Sequence, residues 1–348
     1  MTRARAVLWK KLEKHAAALI ENVENRIAEI EMSCNNYKYI YGPVASRRLG
    51  RSLGIDLVPF KTCTYDCIYC QLGRTTNKTV ERRPYVPVKN ILSELKIKLA
   101  KGESPDYISI AGSGEPTLHS YIGELIGMIK NITKIPVAVL TNGSLLFMPE
   151  VRAALMRADL VIPSLDAGDE SLFLYVNRPH ADISFDQMVN GLIDFTRNFP
   201  GQVWLEILLL SGVTGMAEEA KKIAVYAKEI GAAKVQLNTV CRPTAEDFAC
   251  ALGKKQMEQL ALLFPGVVEV ISEDESERFL GAATSDTSNT EIINLLARRP
   301  CTLTGVCTGL GLHPHDAAKR LQRLVDDKEI TTLRTDHAVF YKIAEKVQ

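Results

Sequence analysis

From Leu53 onward, short apolar runs alternate with stretches of helical periodicity, and no other feature constrains the fold of this chain as strongly. The runs are LGIDLV (53–58), YISIAG (107–112), VAVLTNG (137–143), LVIPSLD (160–166), VWLEILLL (203–210) and VQLNTV (235–240). Helix-like stretches near 88–101, 120–132, 149–157, 184–198 and 216–230 lie between them. Six strands and five crossovers predict a parallel α/β sheet, because parallel neighbours need a long return path that a helix supplies. A doubly wound sheet and a barrel share that pattern. The polar residues favour the barrel: Gly114, Glu115, Asn142, Ser164, Asp166, Glu206 and Asn238 fall at or near the C-terminal ends of successive runs. In a barrel those ends converge on one mouth, where active sites form. The expectation is a partial (βα)6 TIM-like barrel, open at one side and suited to a large substrate.

The chain can fill such a fold. Its 348 residues are 46% hydrophobic and 24% charged, enough for one large α/β unit and an accessory module. A net charge of +1 excludes a globally polycationic nucleic-acid binder. No run of about eighteen uncharged apolar residues is present, so no membrane span is expected. The start, MTRARAVLWKKLEKHAAAL, lacks the apolar core and cleavage site of a signal peptide, which predicts a cytoplasmic protein.

Four segments are expected. Residues 1–36 hold an amphipathic helix over 8–30, with Leu12, Ala16, Ile20, Val23, Ile27 and Ile30 on one face. The barrel covers 37–280 and ends on a helix (254–264) and an edge strand (267–272). GAATSDTSNT (281–290) reads as a linker. Residues 291–348 read as a separate winged helix-turn-helix, with helices at 291–298, 302–309 and 314–327, turn glycines Gly309 and Gly311, and a two-stranded wing. Its third helix sets Leu321, Leu324 and Val325 inward and Lys319, Arg320 and Arg323 outward. With nine basic and seven acidic residues over 289–348, a protein or a nucleic-acid partner fits that module.

The chemistry is written in KTCTYDCIYCQLG (61–73), with thiols at Cys63, Cys67 and Cys70. A structural zinc site wants four ligands, and neither a matching second cysteine pair nor a neighbouring histidine is present. A thiol nucleophile needs one cysteine and leaves two unexplained. An iron–sulfur cube with three protein thiolates explains all three and leaves one iron open. Pro59, Lys61 and Arg74 flank the loop, and the two cations offset a thiolate-rich anion. The other cysteines, Cys34, Cys241, Cys250, Cys301 and Cys307, form no second cluster by spacing, and the usage is unlike a secreted disulfide framework.

This spacing, with Tyr69 before the last thiol, resembles the radical S-adenosylmethionine (SAM) superfamily. AGSGEPTLH (111–119) is similar to its glycine-glutamate motif, TNG (141–143) and SLDA (164–167) resemble later strand ends, and the likeness runs through residues 42–240. Within the superfamily, GPVASRRLGRSLGIDLVPFKTCTYDCIYCQLG looks like the iron–sulfur oxidoreductase group related to wybutosine-synthesis tRNA enzymes. The resemblance implies a radical SAM type of barrel in which Cys63, Cys67 and Cys70 hold a [4Fe-4S] cluster whose fourth iron takes the methionine group of S-adenosyl-L-methionine. It implies adenine contacts from Tyr69, and methionine contacts from Gly112, Ser113, Gly114 and Glu115. Asn142, Ser164, Asp166, Glu206 and Asn238 become candidates for ribose and carboxylate contacts. An external electron donor such as flavodoxin or ferredoxin is implied, as is hydrogen abstraction from substrate by a 5′-deoxyadenosyl radical.

Residues taken singly have plainer readings. Asn142 before Gly143 suits a turn, whereas Glu206 interrupts an apolar run, where a lone carboxylate is costly. Asp56 interrupts the first run with no role assigned by the motif. The substrate is the open question. Residues 38–83 hold nine basic and three acidic side chains, a rim suited to RNA, to a phosphorylated metabolite, or to balancing the cluster itself. The alternative is an iron–sulfur redox-sensing, DNA-binding regulator.

Overall fold

The computed structural model describes residues 37–102, 104–271, 288–335 and 338–344. The expected helix over 8–30, Cys34 and residues 281–287 of the expected linker lie outside the described residues.

The chain enters the sheet through an antiparallel pair, β1 (Ile40–Ser46) and β2 (Gly50–Asp56). Two short strands, β3 (Thr62–Cys63) and β4 (Asn77–Lys78), pair in parallel and frame the cysteine loop. Then α1 (Val88–Ala100), β5 (Tyr107–Ala111), a 3₁₀ turn at Pro116–Leu118, α2 (Ile122–Ile132), β6 (Val137–Thr141), α3 (Pro149–Leu155) and β7 (Leu160–Pro163) follow. After α4 (Glu170–Val176) and α5 (Phe185–Asn198) come β8 (Gln202–Leu209), α6 (Ala217–Ile230), β9 (Lys234–Thr239), α7 (Lys254–Ala261) and β10 (Val268–Val270).

The main sheet has eight strands in the order β1-β2-β5-β6-β7-β8-β9-β10, and every pairing but β1–β2 is parallel. The six expected strands are therefore present, flanked by β10, also expected, and by β1, which was not. A doubly wound sheet reverses its strand order part-way. Here order follows the chain throughout, so right-handed crossovers put the helices on one face, as in a barrel wall.

Local chemistry sets the elements. Helix α5 begins at a capping box in which Ser184 and Gln187 satisfy each other's backbone N–H, and it buries Met188, Leu192 and Phe195 at helical spacing. Strand β8 alternates: Val203, Leu205, Ile207 and Leu209 are buried, while Trp204, Glu206 and Leu208 are half-buried on the inner face. Leu49, in the β1–β2 turn, packs with Ala138, Leu140, Leu160, Ile162 and Trp204. That turn consequently folds against the inner face of the sheet.

Three helices and a hairpin close the chain: α8 (Asn289–Arg298), α9 (Leu303–Leu310), α10 (Pro314–Asp326), β11 (Ile330–Arg334) and β12 (Val339–Ile343). Asn289 and Thr290, assigned to the linker, are helical, because the Ser288–Glu291 capping box starts α8 early. Gly309 is helical too, and the turn residue is Gly311, at φ 65°, where glycine is nearly free of steric cost. Arg320 is half-buried rather than outward, while Lys319 and Arg323 are exposed. These elements share a core with the sheet. Val44 and Tyr41 of β1 pack with Leu295, Leu296, Val306 and Leu321, and the described residues from Tyr39 onward cluster as one compact unit.

Candidate active site

The cysteine loop is stitched to two other segments by backbone bonds. Against the turn after β5, Lys61 N–H donates to Ser113 (2.7 Å) and Glu115 N–H to Thr62 (3.1 Å). Against the end of α4 and the turn after it, Ile68 N–H donates to Val176 (3.0 Å), Asp66 N–H to Asn177 (3.1 Å) and His180 N–H to Thr64 (2.8 Å). The thiols are thus carried on a loop held from both sides.

Each thiol has a nitrogen donor. Asn142 Nδ2 lies 3.6 Å from Cys63 Sγ, Asn177 Nδ2 lies 3.6 Å from Cys67 Sγ, and Lys61 Nζ lies 3.1 Å from Cys70 Sγ. Lys61 is itself buried and holds a left-handed backbone, φ 58°, uncommon outside glycine. Burial and the nearby Glu115 carboxylate push the Cys63 thiol up to about 12. Burial, Cys70 and Cys63 push the Cys67 thiol well above its ordinary value. Cys63 and Cys67 so placed hold their protons at neutral pH unless a cation takes the charge.

The glycine-glutamate turn is shaped by the protein's own packing. A Cβ on Gly112 (φ 106°) would come within 1.8 Å of Asp56 Oδ1, and one on Gly114 within 1.8 Å of the Thr62 carbonyl. Ser113 N–H donates to Asp56 Oδ1 at 2.9 Å. Glu115, 1% exposed, accepts from Thr117 N–H (3.0 Å), Thr117 Oγ1 (2.6 Å), Thr141 Oγ1 (2.6 Å) and Asn142 N–H (2.8 Å). Its carboxylate therefore ties the turn to the end of β6 and orients Asn142. The Asn142 amide also donates to Thr64 Oγ1 at 2.7 Å, so the TNG stretch is more than a turn.

Asp166 organises the next strand end. Tyr69 Oη donates to its Oδ2, Asn177 Nδ2 donates to the same oxygen (3.0 Å), and Leu208 N–H donates to Oδ1 (2.9 Å). Burial pushes this carboxyl up to about 6, despite those three donors. Asn177 links Cys67, Tyr69 and Asp166, yet sequence reasoning missed it. The only signal was an Asn-Arg-Pro turn after an apolar helix of seven residues.

Glu206, Asn238 and Ser164 form a second group. Arg48, from the β1–β2 turn, pairs with Glu206 Oε2, and Asn238 Nδ2 donates to Oε1 at 3.0 Å. Burial alone would raise the Glu206 carboxyl. Arg48, Asn238 and, farther off, Arg47 outweigh it and hold it below the usual carboxylate range. Ser164 bridges to Glu206 through the backbone.

The donor set fits an iron–sulfur cluster. Among the described residues no three His, Cys, Asp or Glu side chains converge as a single ion would require, whereas a cube takes each thiolate on a separate iron. Tyr65 supplies a second observation: it is 3% exposed, its Oη has no hydrogen-bond partner, and the charges acting on it come from Cys67, Glu115, Asp166 and Cys63. A buried hydroxyl left unpaired beside the thiols is a group awaiting a partner.

Residues 57–224 match the Radical SAM superfamily. The protein named GTPase Obg of Brachyspira hyodysenteriae is 42% identical over 295 residues, which are 84% of this chain and 43% of that protein. A UPF0026 protein of Methanocaldococcus jannaschii is 39% identical over 60% of this chain and 65% of its own length. The chain thus spans less than two thirds of either relative. A UPF0026 protein of Helicobacter pylori is 34% identical over 89% of this chain and 99% of its own length. Among solved structures, Streptococcus suis SuiB bound to precursor peptide SuiA superposes with a TM-score of 0.50 at 14% identity, covering 80% of this chain and 60% of that one. Over residues 57–224 the chain is similar to the Radical SAM superfamily, whose members use a [4Fe-4S] cluster and S-adenosylmethionine. The chain belongs to the UPF0026 family.

Proposed function

We propose that this chain generates a substrate radical from S-adenosylmethionine, with Cys63, Cys67 and Cys70 holding a [4Fe-4S] cluster in a partial barrel. The observation that carries the reading is the nitrogen donor beside each thiol, set within one network of strand-end residues. When bound, cluster and SAM supply reductive C–S cleavage and the hydrogen-abstracting radical. The chain's own residues then have distinct tasks. Lys61 offsets thiolate charge at Cys70, while Asn142 and Asn177 orient Cys63 and Cys67 and exclude water from them. Asp166, steadied by Tyr69 and Asn177, offers a carboxylate to the ribose hydroxyls, and Ser164 lies beside it. The turn from Gly112 to Glu115 presents backbone groups to the methionine end. Glu206 and Asn238, already paired with Arg48 and each other, hold the far wall of the site.

The C-terminal elements have the order of a winged helix-turn-helix, three helices and a two-stranded wing, and we read them as the partner-recognition module. A flavodoxin- or ferredoxin-type donor supplies the electron. A redox-sensing regulator needs none of the strand-end network, and nothing favours that second reading. The test is anaerobic incubation of the iron-loaded protein with dithionite and SAM. Formation of 5′-deoxyadenosine is expected; its absence from protein with a full iron complement overturns the proposal.

A further inference from the structure

Asp56 interrupts the apolar run of β2 and has no part in the chemistry above, yet it is buried, where a carboxylate is costly without partners. Its partners come from two sides. Oδ1 accepts from Ser113 N–H at 2.9 Å and lies 3.3 Å from Ser113 Oγ. Oδ2 accepts from Arg298 Nε at 2.7 Å. The same Oδ1 occupies the space that a Cβ on Gly112 would need, so turn and carboxylate fit together only because residue 112 is glycine. The turn is bonded in addition to the cysteine loop, by Lys61 N–H to the Ser113 carbonyl and by Glu115 N–H to the Thr62 carbonyl. Ser113 therefore carries Asp56 on its N–H and the cysteine loop on its carbonyl.

Arg298 is held in its turn. Its guanidinium lies 4.4 Å from the Tyr41 ring centroid, and its Nη1 donates to the Asn294 carbonyl one turn back in α8 (2.9 Å). The Tyr41 ring itself lies over Gly54 of β2, where a Cβ would come within 2.0 Å of it. Neither Arg298 nor Asp56 can move without leaving a buried charge half-paired. A turn ordered before its ligand arrives binds that ligand more tightly, because the ordering cost is already met. We propose that Asp56 is a positioning residue for the turn from Gly112 to Glu115, and that Arg298, by holding Asp56, makes SAM binding depend on the C-terminal helices. The proposal rests on the reading that this turn receives the methionine end of SAM. Asp56 acts through Gly112 and Ser113, not on the cofactor itself, and displacement of α8 loosens the turn.

The test titrates SAM calorimetrically, without reductant, into the full-length, iron-loaded protein, and follows amide hydrogen exchange over residues 111–117 by mass spectrometry before SAM is added. Asp56→Ala should lose about tenfold or more in SAM affinity at unchanged iron content. Arg298→Met should lose about fivefold, and the double variant no more than Asp56→Ala alone, because Arg298 acts through Asp56. Exchange at the turn should be faster in all three. Asp56→Asn keeps an oxygen for Ser113 and should bind SAM better than Asp56→Ala. With Arg298→Lys it keeps the comparison valid if the larger truncations fold poorly, which circular dichroism reads. Equal SAM affinity in wild type, Asp56→Ala and Arg298→Met overturns the proposal. So do additive losses in the double variant, which would make the two residues independent. Weaker binding with unchanged exchange overturns it too, since Asp56 would then touch the cofactor directly. Iron lost in step with SAM affinity would make Asp56 a support of the cysteine loop, against the proposal. A wild type with full iron that binds no SAM faults the radical SAM reading and this inference together. Wild type that binds SAM but forms no 5′-deoxyadenosine faults the enzymatic reading alone, and the affinities then still decide the role of Asp56.

Discussion

Arg298 Nε donates to Asp56 Oδ2 across 2.7 Å, so the last residue of α8 closes on the last residue of β2. The other Asp56 oxygen accepts from Ser113 in the glycine-glutamate turn. The C-terminal helices are thereby linked, through one carboxylate, to the turn that faces the cysteine loop. Burial raises the Asp56 carboxyl, against the opposing pull of Arg298 and Ser113.

Removing Arg298 leaves that carboxylate buried and half-paired. Arg298→Met should destabilise the protein by about 3 kcal/mol in urea unfolding, and Asp56→Asn added to it should restore part of the loss. Truncation after Ala283 should go further, since it strips Val44 and Tyr41 of their packing partners. A truncated chain that unfolds at the wild-type temperature would show that the C-terminal elements are an independent appendage.

Thiol substitutions should separate by location. Cys63→Ala, Cys67→Ala and Cys70→Ala should each abolish the absorbance of a four-iron cluster and the roughly four irons per chain. Cys301 and Cys307 are each 2% exposed within the C-terminal core. Their alanine variants should keep full iron and lose about 1 kcal/mol of stability. Iron loss in either one would point to an auxiliary cluster.

Glu115 accepts four hydrogen bonds on a buried carboxylate, and an amide cannot reproduce them, because its nitrogen donates. Glu115→Gln should cost about 2–3 kcal/mol in chemical denaturation and weaken SAM binding through the displaced Asn142. Wild-type stability combined with lost SAM binding would assign the carboxylate to the cofactor alone.

Glu206 predicts an acid-side dependence. A carboxyl held below its unfolded value of 4.5 contributes stability that is full above that pH and is lost as pH falls through the folded value. The stability gap between wild type and Glu206→Gln should therefore be widest above about pH 5 and close towards pH 3, as measured by unfolding midpoints across that range. A gap that stays constant with pH would mean the Arg48 pairing contributes no net stabilisation.

The sequence by itself determined what repeats along the chain. Six strands, their crossover helices and the edge strand at Val268–Val270 followed from apolar spacing, and the thiol loop followed from cysteines within eight positions of each other. Periodicity is a local signal, carried by residues that are neighbours in sequence. It failed where the signal was short or broken: α4 has seven residues, and β1 has an irregular register between Tyr41 and Val44. Only the tertiary structure decided which polar side chains meet. Asn177 reaches Cys67 from 110 residues away, Arg48 reaches Glu206 from 158, and Arg298 reaches Asp56 from 242. A charge has no period, and its partner depends on which strands lie side by side and on which turn folds against them.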